Sequence, residues 1–302
     1  MIQSKYLKLI YCPACKGELK QHNKSLQCNR CNRQYRINYG IPRLLKGEES
    51  IDVQISREKW DNLYAKDEIE EYKINTIQLS QKKFLARYRQ YINKGIFLDL
   101  GCGIALQSLF LAKEGISTIG VDISFTALIK SIDLFKKRKV SGYFLQADFL
   151  DLPLKNNSIQ FIYWGLSIEY VRDTKKAVTE AYRVLKTGGR IIVPFPVASL
   201  TTILYHQLRG GDIPRIPVIR GIMEIIHVKI LKGKYMHYGY GQTFTVREIE
   251  KIFKESGFRV QKIDYYDIYY PLALVPSLLS PLLRNILHLR PFWPFAYIEA
   301  IK

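Results

Sequence analysis

Between residues 95 and 194, short apolar runs alternate with segments of helix length, and few folds tolerate that alternation. Gly95–Leu100, Ile116–Val121, Tyr143–Gln146, Ile159–Trp164 and Arg190–Pro194 read as strands, while Ala105–Lys113, Phe125–Lys136 and Thr174–Leu185 read as helices. Strands fed by helices of this length build βαβ units, whose crossovers make the strands parallel and cover both faces of the sheet. The expected core is therefore α/β. The turn after the first strand is Asp99-Leu100-Gly101-Cys102-Gly103-Ile104-Ala105. Glycines at 101 and 103 permit a tight turn and let a ligand approach the backbone at a helix N-terminus. The third glycine of a dinucleotide fingerprint would fall on Leu106, which disfavours NAD. Asp122 closes the second strand 21 residues after Gly101, the spacing at which an acid holds a ribose diol. No base accompanies Cys102, so the thiol is not read as a nucleophile.

Ahead of this core stand two CxxC knuckles, Cys12/Cys15 and Cys28/Cys31, separated by twelve residues. Four thiolates so arranged can close a tetrahedron around Zn²⁺. A redox CxxC is the rival, but duplication within so short a unit favours a structural metal. Four Cys ligands leave no open position, so the zinc should fold the module and take no part in chemistry. Five cysteines in 302 residues are too few for a disulfide scaffold, and lysines at 5 and 8 interrupt any signal-peptide pattern, which makes a cytoplasmic setting the expectation. The formal charge is +19, and residues 1–46 hold ten basic residues against one acid. Such an excess points to an anionic partner, nucleic acid or a membrane surface.

The segments YCPACKGEL (11–19) and CNRCNRQYRINYGIPRLL (28–45) resemble a small zinc-ribbon module found alone in bacteria and fused ahead of some methyltransferases. LDLGCG (98–103), VDIS (121–124), QADFLDLPLKNNSIQFIYW (146–164) and EAYRVLKTGGRIIV (180–193) together resemble class I S-adenosylmethionine-dependent methyltransferases of the type 11-like kind. That resemblance implies a doubly wound, mostly parallel seven-stranded sheet and S-adenosyl-L-methionine as cofactor. It implies that Asp99, Gly101 and Gly103 line the methionine end, that Asp122 with Ile123 holds the ribose, and that Asp148 meets the adenine amino group. Phe149 would flank the ring, and Trp164 completes the cofactor set. Three positions depart from the family pattern: Ala105 replaces a third glycine, Gln160 replaces an acid at the start of the fourth strand, and Tyr170 stands where many relatives have His.

The organisation expected is a zinc-ribbon module at 1–46, a helical linker or cap at 47–94, and a methyltransferase domain at 95–302. Insertions on the substrate side fall at about 197–243 and 270–295. Phe244–Phe253 reads as a late helix, Gly257–Val260 as the entry to a strand and Ala296–Ile301 as a final strand. Two uncharged stretches, Ile191–Leu208 and Ile268–Leu283, are broken by prolines and do not read as membrane spans. The second insertion is rich in Leu, Pro and aromatics, which suits a buried helix or a surface that meets lipid. The expected function is methyl transfer to a small-molecule or lipid-linked acceptor, in the cytoplasm, with peripheral membrane contact entertained. The alternative is methylation of ribosomal RNA, with Arg30, Arg33 and Arg36 of the ribbon on phosphates. A cofactor-binding protein without catalysis is a third class. Glu169 and His237 are the candidate general bases, and no feature of the chain speaks to oligomeric state.

Overall fold

The computed structural model describes residues 2–46, 51–66, 86–92, 95–199, 242–266, 293 and 295–302. They fall into two compact units, one of residues 1–165, 175–191 and 301–302, the other of residues 166–174 and 192–300.

The first unit begins with a one-turn helix α1 (Ser4–Leu7) and strands β1 (Leu19–His22), β2 (Ser25–Cys28), β3 (Gln34–Asn38) and β4 (Ile41–Pro42). These form an antiparallel sheet in the order β1-β2-β3-β4. Along β3, Tyr35 and Ile37 are buried while Gln34 and Arg36 are exposed, because successive strand residues face opposite sides. Helix α2 (Ile51–Lys66) and a helical segment at 86–92 follow.

The core elements are β5 (Phe97–Leu100), α3 (Leu106–Lys113), β6 (Thr118–Asp122), α4 (Phe125–Lys137), β7 (Tyr143–Gln146), β8 (Ile159–Trp164), α5 (Thr174–Val184), β9 (Leu185–Pro196), α6 (Val246–Glu255), β10 (Arg259–Tyr265) and β11 (Phe295–Ile301). The seven-stranded sheet runs β10-β11-β9-β8-β5-β6-β7. β5 pairs in parallel with both β6 and β8, and β6 in parallel with β7. Every residue of β5, β6 and β7 is buried, as for strands covered by helices on both faces. The chain passes from β5 outward through β6 and β7, then returns to β8 on the other side of β5. In open sheets that reversal opens a crevice at the strands' carboxyl ends.

Local chemistry sets the helix limits. Ser124 caps α4 by accepting the Ala127 N–H, and Lys136 and Lys137 lie in its last turn, where cations suit the helix dipole. Ala127, Leu128, Ser131, Leu134 and Phe135 form the helix's buried stripe. Thr245 likewise caps α6 through the Glu248 N–H. One strand departs from expectation. β9 starts at Leu185 rather than near Arg190, because Gly188, at φ 75°, donates its N–H to the Lys302 carbonyl while Lys302 donates to that of Gly189. The KTGG run that reads as a turn is thus held in the sheet by the chain's last residue.

Within the first unit the ribbon is bonded to the edge of the large sheet. Arg43 bridges in parallel to Gln146 of β7, and the Leu44 N–H donates to the Gln146 carbonyl at 2.8 Å. Arg43 Nε also donates to Gln146 Oε1 at 2.7 Å. Further along, Ile10 bridges Leu154, Tyr11 N–H reaches Pro153 O, and Lys155 N–H reaches Leu9 O. Tyr6 stacks on Tyr143 with ring centres 4.6 Å apart. Ile41, fully buried, joins Cys102, Ala105, Leu109, Leu128, Leu134, Phe135 and Phe144 in one apolar cluster.

Of the expected insertions at 197–243 and 270–295, all but 197–199, 242–243, 293 and 295 lie outside the described residues. Among the described residues, no helix is long and apolar enough to cross a membrane.

Because Ile41 fills a shared core, Ile41→Ala should lower the stability of ribbon and sheet together by about 2–5 kcal/mol, the cost of a core cavity. A melt in which the ribbon unfolds early and the main transition stays in place would contradict the shared core.

Candidate cofactor site and metal centre

The turn between β5 and α3 takes left-handed backbone at three alternate positions, with φ of 64° at Gly101, 52° at Gly103 and 54° at Ala105. Glycine adopts this region freely, whereas an alanine there costs about 1–2 kcal/mol. Ala105 is fully buried in the Ile41 cluster, so packing of its methyl group offsets part of that strain.

Asp122, at the end of β6, ties this turn to the next one. Its Oδ2 accepts the Gly103 N–H and its Oδ1 the Ser124 N–H, both at 2.8 Å. Ser131 of α4 closes the arrangement by donating its hydroxyl to the Gly103 carbonyl at 2.9 Å. Asp99 is 1% exposed and turns toward α3, where its Oδ2 accepts the Ser108 hydroxyl at 2.8 Å and the Ser108 N–H at 3.3 Å. Burial pushes the Asp99 carboxyl up to about 7, against the pull of Ser108, and the Asp122 carboxyl up to about 6, against the N–H groups of Ser124 and Gly103. A ligand bringing positive charge or hydroxyl donors to this corner favours their ionised forms.

The next two strand ends carry the apolar part of the site. Asp148 accepts the Leu150 N–H at 2.9 Å and opens a single 3₁₀ turn at Phe149–Asp151. The Phe149 ring meets Trp164, the last residue of β8, edge-on at 5.4 Å. Ile123 is half-buried, and its carbonyl accepts from Gln146 Nε2 at 2.9 Å. Asp99, Gly101, Gly103, Asp122, Ile123, Asp148, Phe149 and Trp164 therefore all lie in the first unit, at or just past the carboxyl ends of β5, β6, β7 and β8.

Of the two candidate bases, Glu169 belongs to the second unit and His237 lies outside the described residues. Glu169 is 7% exposed, and its Oε2 meets no hydrogen-bond partner among the described residues. Burial pushes its carboxyl up to about 8. Its main-chain carbonyl accepts the Gln242 N–H, while Gln242 Nε2 donates to the Val171 carbonyl.

Sequence reasoning missed Ser108, Arg43, Gln146, Asp61 and Tyr64. Asp61 of α2 accepts the Ser124 hydroxyl at 2.7 Å and the Thr126 N–H at 2.9 Å. Arg43 and Gln146 are 103 residues apart and Asp61 and Ser124 are 63 apart, so no local pattern links those partners, whereas Ser108 lies only nine residues from Asp99, just beyond the glycine turn.

In the ribbon, the sulfurs of Cys12, Cys15, Cys28 and Cys31 all lie within 4.8 Å of one another. Cys12 and Cys31 are 3.7 Å apart, and Cys15 and Cys28 are 3.4 Å apart. A zinc tetrahedron with Zn–S of about 2.3 Å spaces its sulfurs by about 3.8 Å, so the donor set fits that ion. Gly17 permits the closure, because a Cβ there would come 2.8 Å from both Cys28 Sγ and Arg30 Cβ. Arg30 donates its N–H to Cys28 Sγ at 3.3 Å, and the Tyr35 hydroxyl lies 3.1 Å from Cys12 Sγ, contacts that suit thiolates. Protein purified without chelator should contain zinc, and Cys28→Ser should lose it and melt at a lower temperature. Elemental analysis that finds no metal in the unaltered protein would remove the assignment.

Residues 98–193 match the family described as methyltransferase domain, and residues 3–40 match that described as Trm112p-like protein. Among curated relatives, a malonyl-[acyl-carrier protein] O-methyltransferase of Hamiltonella defensa is 32% identical over 101 residues, covering 33% of this chain and 38% of that protein. A chloroplastic tocopherol O-methyltransferase of Arabidopsis thaliana is 34% identical over 142 residues, covering 46% and 38%. The chain thus spans less than half the length of these relatives. A solved complex between the Haloferax volcanii Trm112 methyltransferase activator and a putative methyltransferase aligns with a TM-score of 0.54 at 16% identity, covering 82% of this chain and 96% of that one. At that identity the likeness speaks to fold. The chain joins a Trm112p-like module at residues 3–40 to a methyltransferase domain of Rossmann-like fold at residues 98–193.

Proposed function

We propose that this protein transfers the methyl group of S-adenosylmethionine to a small organic acceptor. The observation that carries the reading is Asp122, a buried carboxylate held between the glycine turn and the cap of α4 at ribose-binding spacing. Its remaining lone pairs suit the two hydroxyls of a ribose. Asp148 suits the adenine amino group, and the rings of Phe149 and Trp164 suit the flat base beside it. Methyl transfer is an in-line displacement from a sulfonium, so fixed orientation supplies much of the rate. In the same reading the four cysteines hold a structural zinc.

The curated relatives above are named for transfer to oxygen. An oxygen acceptor must lose a proton, and Glu169 is the group we assign to take it. The expected lipid-facing surface rested on residues 270–295, which lie outside the described residues apart from 293 and 295. One observation favours RNA as a second reading: Lys20, Arg30, Arg33 and Arg36 are all exposed on the ribbon. Incubation with methyl-labelled cofactor and fractionated cell extract separates the two. Label in the small-molecule fraction supports the first reading, whereas label in RNA supports the second.

Asp122→Ala should weaken cofactor binding by about 2–3 kcal/mol, the value of hydrogen bonds to a charged group. Calorimetry that finds unchanged affinity would defeat the ribose assignment.

Glu169 generates a pH dependence. Its carboxyl is raised in the folded state, so folding favours the neutral form. Its stabilising contribution is present below the unfolded value of 4.5 and is lost as pH rises toward about 8. A base must be ionised, so turnover should rise with pH through about 8. Glu169→Gln should remove that rise and most of the activity, while gaining stability over the unaltered protein at alkaline pH. A variant with the original pH profile would eliminate Glu169 as the base.

A further inference from the structure

Helix α2, placed by sequence in a linker or cap, reaches the glycine turn. A Cβ built on Gly103 would lie 3.2 Å from Cζ of Tyr64 and closer still to its hydroxyl, so the phenol rests directly on the backbone that the turn leaves bare. Asp61, one turn earlier on the same helix, accepts from both Ser124 and Thr126. Ser124 in turn donates its N–H to Asp122, and Asp122 accepts from Gly103. Tyr64, Gly103, Asp122, Ser124 and Asp61 thus form one continuous set of contacts around the corner assigned above to the cofactor.

Residues three apart on a helix share a face, so the fastening of Asp61 fixes where Tyr64 points. Trp60 lies beside it, with ring centres 6.3 Å apart. The two bonds of Asp61 tether this turn of α2 to the start of α4. A phenol held over a glycine turn can donate to an anionic group that enters the turn, and the cofactor has one such group, the carboxylate of its methionine portion.

Resting on the proposed use of S-adenosylmethionine, we infer that Tyr64 is a cofactor-binding residue whose hydroxyl donates to the methionine carboxylate, and that Asp61 is the positioning residue that holds it there.

The test compares two ligands on the full chain by calorimetry. S-adenosylhomocysteine retains the amino-acid portion, and 5′-methylthioadenosine lacks it. Tyr64→Phe should weaken S-adenosylhomocysteine about tenfold, as expected for loss of a hydrogen bond to a charged group, and leave methylthioadenosine unchanged. A purely structural tyrosine would weaken both ligands alike or neither, and either result overturns the assignment of Tyr64. Asp61→Ala should reproduce the selective loss and hasten tryptic cleavage at Arg57. Unchanged affinity in that variant overturns the role of Asp61. Thermal melts confirm that each variant remains folded, and Tyr64→Phe removes a single oxygen, so it keeps the test open should Asp61→Ala unfold. If the unaltered protein binds neither ligand, the methyltransferase reading itself fails, a result distinct from loss of ligand selectivity in Tyr64→Phe.

Discussion

The carboxylate of Asp122 is the constraint around which the first unit is arranged. A buried acid is costly, and it persists here because two backbone N–H groups, from Gly103 and Ser124, are directed at its two oxygens. Those bonds belong to consecutive strand-to-helix turns, so one side chain sets the position of the glycine loop and of the start of α4. The Ser131 hydroxyl, on the buried face of the same helix, secures the loop at the Gly103 carbonyl. Asp61 then attaches α2 to Ser124 and Thr126. Removal of the carboxylate would leave the Gly103 and Ser124 N–H groups to find new partners in a buried corner.

Attachment of the ribbon solves a different problem. β7 lies at one end of the large sheet, and an uncovered edge strand invites pairing with other chains. Here Arg43 and Leu44 meet that edge through Gln146, which the ribbon contacts through both side chain and main chain. The amide of Gln146 passes the contact on to the Ile123 carbonyl, next to Asp122. Arg43 also lies 5.0 Å over the ring of Phe125, the first residue of α4, and Tyr39 approaches the same ring at 6.4 Å. The module that brings the four cysteines together is thereby connected to the turn that follows Asp122.

The buried carboxylates suit a cationic ligand. Asp99 and Asp122 are both raised by desolvation, and each would ionise more readily as positive charge approaches. S-adenosylmethionine carries such charge on its sulfonium and ammonium groups. In the second unit burial raises the Glu169 carboxyl further, to about 8.

Much of this was written locally in the chain. Strand and helix periodicities placed β5 to β8 and α3 to α5 within a few residues, because those patterns depend only on near neighbours. The positive φ at Gly101 and Gly103 and the convergence of the four cysteines follow from residue type and spacing. The misplaced start of β9 shows the limit, since Gly188 and Gly189 are held by Lys302 at the other end of the chain. The attachment of the ribbon at Gln146, the fastening of α2 by Asp61 and the seat of Tyr64 on Gly103 emerge only when the chain is folded. Arg43 is 103 residues from Gln146, and Asp61 is 63 residues from Ser124. No periodicity links partners at such distances, so their pairing is determined by which surfaces the sheet brings together.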